Sequence, residues 1–91
     1  MSKFFSLYNT FEDFYATFYR GNEVEFVYNE ERYFVLPMFD DSQNICAVIL
    51  GKENDDNEII CKSEQDLYNA PISKTVLGNI LDEIEIVWYN T

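Results

Sequence analysis

Residues 10–35, TFEDFYATFYRGNEVEFVYNEERYFV, decide the fold, because the hydrophobic period changes inside them. Phe11, Phe14, Tyr15, Phe18 and Tyr19 recur at i, i+3, i+4, i+7 and i+8, which is one face of a helix. Thr10 is placed to cap that helix, with Asp13 three residues on in a variant of the capping box. Glu12 and Asp13 suit the positive end of the helix dipole, and Arg20 the negative end. Gly21 suits the left-handed stop. From Val24 the period is 2. Val24, Phe26 and Tyr28 alternate with Glu23, Glu25 and Val27, and the alternation resumes at Tyr33 and Val35. This predicts a β-hairpin in one of two registers, Phe26 opposite Tyr33 or Phe26 opposite Val35. The two differ by two residues, so both keep the same five residues on the apolar face.

Working outward, Pro37 ends the second strand or places it at an edge. Asp40 to Asn44 reads as a loop, and Ile45 to Leu50, apolar throughout, as a central strand covered on both faces. Residues 52–57 are a polar turn, followed by a fourth strand from Glu58 to Lys62. A hairpin centred near residues 53–54 would set Cys46 opposite Cys61. Ser63-Glu64-Gln65-Asp66 opens a short helix that Pro71 ends. Leu77, Ile80, Leu81 and Ile84 predict a last helix from about Thr75, although Gly78 weakens it. Beyond Ile84 the alternation returns, as a fifth strand or an extended arm. The expected architecture is α+β: an N-terminal helix, a four-stranded antiparallel sheet of two hairpins, and one or two C-terminal helices, in a single domain over residues 1–91.

Seventeen Asp and Glu stand against six Lys and Arg, with no His, for a net charge of −11. Residues 1–22 are neutral, so all of the excess lies after Asn22. Hydrophobic residues make up 47% and aromatics 18%, which separates this chain from disordered acidic tails. Such a surface repels nucleic acid and membranes and attracts basic partners. Duplex DNA carries about 18 charges over 30 Å, from one per roughly 1.7 Å. A globule of this length is roughly 30 Å across and here bears 17 carboxylates.

Enzyme chemistry finds little to work with. The commonest general base is missing, no serine sits in a nucleophile elbow, and the three glycines are isolated. Asp40-x-Ser42-x-Asn44 echoes the start of a calcium loop, but Ile45 stands where that loop needs glycine and the distal Glu is absent. Asp55, Asp56 and Glu58 read as a solvated turn rather than a cation site. Cys46 and Cys61 lack metal-ligand spacing and lie in apolar strand contexts, as small hydrophobes with free thiols. No cofactor is expected. Neither a signal-peptide core nor a membrane-length apolar run is present, so a cytoplasmic location is expected.

The stretch Asn22-Glu23-Val24-Glu25-Phe26-Val27-Tyr28-Asn29, followed by Tyr33, resembles the opening hairpin of small acidic proteins from Gram-positive bacteria and their phages and mobile elements. Ser63-Glu64-Gln65-Asp66-Leu67, Ile72, Lys74-Thr75-Val76, Ile80 and Asp82-Glu83-Ile84-Glu85 are similar to their C-terminal half. Glu30-Glu31 departs from the Gly-Lys turn usual there, and Ser73 from a Gly. The resemblance carries no catalytic residue. By analogy of size, charge and origin it implies inhibition of host defence, of anti-CRISPR or anti-restriction type.

The expectation is therefore a non-enzymatic module that blocks a basic, nucleic-acid-binding protein surface. Its carboxylates are Glu30, Glu31, Asp40, Asp41, Asp55, Asp56 and Glu58 in the turns. It binds no nucleic acid directly. The alternative is an accessory domain that forms a homodimer or docks a partner through the aromatic stripe of its first helix, with acids that only keep it in solution.

Overall fold

The computed structural model describes residues 2–90. In chain order its elements are β1 (Ser2–Lys3), α1 (Phe4–Leu7), α2 (Phe11–Phe18), β2 (Val24–Tyr28), β3 (Glu31–Phe39), β4 (Ile45–Lys52), β5 (Glu58–Cys61), α3 (Glu64–Tyr68), β6 (Pro71–Ile72), β7 (Thr75–Val76), a 3₁₀ turn (Leu77–Asn79) and β8 (Glu85–Tyr89). The fold is α+β. Three α-helices accompany an antiparallel sheet in the order β1-β8-β2-β3-β4-β5, with β6 and β7 as a separate two-stranded ribbon.

Helix α2 forms as its spacing predicts. The Thr10 hydroxyl accepts the Asp13 N–H at 3.1 Å, and Glu12 and Asp13 occupy the first turn. The end is closed by Gly21 at φ +87°, a conformation that a Cβ would strain. Phe11, Phe14 and Phe18 are buried, with Phe14 wholly inaccessible. Phe14 packs on Phe4 at 5.1 Å and on Phe18 at 5.0 Å between ring centroids. The aromatic stripe is thus core. Only Tyr15 and Tyr19 reach its edge, their hydroxyls 2.8 Å apart.

The β2–β3 hairpin takes the first of the two registers. Phe26 faces Tyr33, with their rings stacked at 5.2 Å, and Val24 faces Val35. The turn is the two residues Asn29 (φ +51°) and Glu30 (φ +66°), the doubly left-handed geometry that matches strand twist.

The second strand does not end at Pro37. β3 continues to Phe39, and Pro37 lies opposite Val48 of β4. The reason is local. With a two-residue turn, the N–H positions of Glu31, Tyr33, Val35 and hence Pro37 point toward β2. β2 pairs no further than Val35, so proline at 37 forfeits no ladder hydrogen bond.

Two further expectations are corrected. The sheet has six strands among the described residues, not four or five. β8 is no arm: it lies between β1 and β2, with Ile86 opposite Phe26. The last helix is absent. Thr75-Val76 pairs with Pro71-Ile72, and a single 3₁₀ turn follows. Leu77, Ile80, Leu81 and Ile84 are buried as expected, but by successive tight turns. A helix there would carry Asp82 and Glu83 at its negative end, lack a side-chain cap at Val76, and hold Gly78 inside it.

α3 forms on its cap, with the Ser63 hydroxyl accepting the Asp66 N–H at 3.1 Å. The helices and the C-terminal turns bury Val24, Phe26, Val35, Val48, Leu50 and Ile86 on one face of the sheet. On the opposite face Phe34, Leu36, Met38 and Ile49 are half-buried and Ile60 and Trp88 exposed, and none of them joins the core cluster; among the described residues no helix is long and apolar enough to cross a membrane.

Candidate functional site

All seven carboxylates singled out in the sequence are exposed, but they do not form one stripe. The β2–β3 turn carries Glu30 and Glu31, and the β4–β5 turn carries Asp55, Asp56 and Glu58. Strands β2 to β5 pair antiparallel in sequence order, so these two turns share one end of the sheet. Asp40 and Asp41 lie in the β3–β4 loop at the other end. The eight steps of β3 from Glu31 to Phe39 separate the ends by about 26 Å at 3.3 Å per residue.

Five of the seven therefore gather, and Glu53 joins them. Their roles differ. Glu31 accepts the Lys52 ammonium at 2.9 Å, and that carboxylate raises the Lys52 pKa above its ordinary value. Asp55 holds its own turn, its Oδ1 accepting the Asn57 N–H at 2.8 Å. Glu30, Asp56 and Glu58 engage no partner among the described residues and face solvent. At the far end, Asp40 Oδ1 accepts the N–H groups of Ser42 at 2.8 Å and Asn44 at 3.0 Å. This is the physical content of the calcium-like spelling: the Asp is an internal cap for its loop. Among the described residues no three acids or cysteines converge on a point that could hold a metal ion. Glu12, Asp13, Glu64 and Asp66 serve the first turns of α2 and α3.

Between the two hairpin tips and the β6–β7 turn opens a cleft of about 440 Å³. Tyr28, Tyr33, Ile59 and Ile72 wall it, with Lys52 and Asp55 at its polar side. Burial raises the Tyr33 pKa, and Lys52 is held as a cation by Glu31. The cleft thus joins an apolar wall to a charged rim held by the Lys52–Glu31 pair.

The cysteines are not opposite each other. Val48 pairs with Cys61, while Cys46 is the extra residue of a bulge, since Met38 pairs with Ala47 and Phe39 with Ile45. Cys46 is exposed and Cys61 buried. Burial, aided by the Asp66 charge, pushes the Cys61 thiol up to about 11.

Sequence reasoning missed the helix-free face of the sheet. Phe34, Leu36 and Met38 of β3 lie there beside Gly51, Ile49 and Ala47 of β4. Ile60 of β5 adjoins Ile49, and Trp88 of β8 is across Glu25 in the row of Phe34. Ile60 is 53% and Trp88 45% exposed. The signal was available: between Tyr33 and Phe39 both phases of β3 are apolar, whereas a half-covered antiparallel strand ordinarily alternates. Val27 and a Glu25–Arg32 ion pair at 3.6 Å adjoin this field toward the acidic end.

No family model matches the chain, and neither a curated protein nor a solved structure matches it.

Proposed function

We propose that this chain is a non-enzymatic protein-binding module that engages a basic surface of a partner, acting in the cytoplasm. The finer form of the reading is a nucleic-acid mimic that inhibits a defence nuclease. The observation that carries it is the meeting of the β2–β3 and β4–β5 turns at one end of the sheet. There Glu30, Asp56 and Glu58 engage no partner among the described residues, Glu53 lies at the same end, and the nearby ammonium of Lys52 is neutralised by Glu31. A preformed cluster of like charge favours fast, salt-sensitive association with a cationic groove.

A pull-down on a basic, DNA-binding nuclease tests this reading, with duplex DNA as competitor. Expected are retention of the chain, release by DNA and by salt, and at least tenfold weaker retention of the triple variant Glu30→Lys, Asp56→Lys, Glu58→Lys. Undiminished retention of that variant overturns the turn-end assignment.

The uncovered sheet face favours a second reading, docking through an apolar surface. It replaces the aromatic stripe of α2 as the surface for that role, because Phe14 is wholly buried.

A further inference from the structure

The helix-free face of the sheet carries a contiguous apolar field with no helix packed over it among the described residues. Phe34, Leu36, Met38, Ile49 and Ile60 are contiguous across β3, β4 and β5. From Phe34 to Met38 the field runs about 13 Å along the strand, at 3.3 Å per residue, and three strands wide it spans about 10 Å. Ile60 is 53% exposed and the other four are half-buried, so the field offers one continuous docking surface on the uncovered side of the sheet. Scattered single residues on a monomer need no explanation, but these five share one surface.

Charge decides what covers it. A second copy of the chain, also at −11, would set its own acidic field border against the first, with the seam charges inside a Debye length of about 8 Å at physiological salt. The field also borders the acidic end directly: Glu58 pairs with Gly51, in the row of Phe34, and Glu53 follows Lys52 at the end of β4. The cations on this face are few. Arg32 is paired with Glu25, Lys3 lies on the edge strand β1 opposite Glu85, and Lys62 lies past the end of β5 at the opposite margin. An occupant that matches both halves has an apolar stripe and flanking cations.

We propose that this face docks an amphipathic polypeptide segment rich in lysine or arginine. Its apolar stripe covers Phe34, Leu36, Ile49 and Ile60, and its cations reach Glu30, Asp56 and Glu58. The cationic half rests on the function proposed above; the apolar half stands independently of it. A helix laid on a sheet face buries both partners' apolar stripes in the usual two-layer arrangement.

Trp88, the chain's one tryptophan, borders the field and reports on it. The full chain is titrated with a synthetic 14-residue Leu/Lys amphipathic helix, and separately with an oligolysine of equal charge, following Trp88 emission and binding heat. The Leu/Lys peptide is expected to bind at least tenfold tighter than oligolysine and to shift Trp88 emission to the blue. Leu36→Glu and Ile60→Glu each remove that tenfold advantage and leave oligolysine binding intact. Ile60 is half exposed on the edge strand β5, so its variant folds even if Leu36→Glu does not. Equal affinity for the two peptides overturns the apolar anchor. So does an undiminished advantage in Ile60→Glu, or a dimer that buries Trp88 without peptide. Loss of oligolysine binding with the apolar advantage intact overturns only the charge reading.

Discussion

The ring of Phe34 lies over the Cα of Gly51, its strand neighbour on the open face of the sheet. A Cβ at position 51 would sit 2.1 Å from the tip of that ring. The glycine is there because the phenyl group fills the space a side chain would need.

A double-mutant cycle tests this relationship. Gly51→Ala alone forces the ring aside and is expected to destabilise by about 1 kcal/mol, of the order of an off-rotamer side chain. In a Phe34→Ala background the same change is expected to be neutral or stabilising, because alanine outperforms glycine in a strand. A coupling energy of about 1 kcal/mol or more by urea unfolding agrees with the contact; additive effects contradict it.

Glu30 occupies left-handed backbone at φ +66° in a turn that suits glycine. Glu30→Gly is expected to stabilise the fold by about 1 kcal/mol, the usual cost of that conformation for a residue with a Cβ. Ser73, at φ +57° in the β6–β7 turn, responds the same way. A rise in the urea midpoint at constant slope is the expected result.

The two thiols differ in reach. An aromatic disulfide reagent is expected to label Cys46 at once and Cys61 only on unfolding. The folded-state pKa of Cys61 is raised from 9.0 to about 11, so the neutral thiol is favoured in the native state. Its contribution to stability is full below pH 9, and it is lost as pH rises through about 11. Tyr8, Tyr15 and Tyr33 are also raised and add to the slope at higher pH. The difference in slope between the native chain and Cys61→Ala isolates the thiol; identical slopes from pH 9 to 11 contradict its burial.

Phe14 and Ile60 separate core from surface. Phe14→Ala leaves a cavity inside the aromatic cluster and is expected to cost about 3–5 kcal/mol. Ile60→Ser, on the open face, is expected to cost under about 1 kcal/mol.

Much of this organisation is legible in the sequence where a period and a cap agree. Thr10 with the Phe11-Phe14-Phe18 spacing specifies α2, and Ser63 with Asp66 specifies α3. The hairpin from Val24 to Val35 is equally plain, and its turn falls out once strand twist is considered. What escapes is non-local. Nothing near Glu85 says that β8 enters the sheet between β1 and β2, where Glu85 pairs with residues as distant as Val27 and Lys3. Leu77 to Ile84 has the apolar spacing of a helix, and only the cost of Asp82, Glu83 and Gly78 argues against one. The two acidic turns are individually visible as loops. Their shared end, and the exclusion of Asp40 and Asp41 from it, follow from strand direction alone. The apolar outer face was spelled in the second phase of β3, which becomes informative only when no element is left to cover it.

An NMR titration of the full chain with dodecalysine tests the gathered charge most directly. Amide shifts are predicted to centre on Glu30, Asp56 and Glu58 and to leave Asp40 and Asp41 nearly unmoved. Shifts of equal size at both ends of the sheet, or centred on Glu12 and Asp13 of α2, would contradict it.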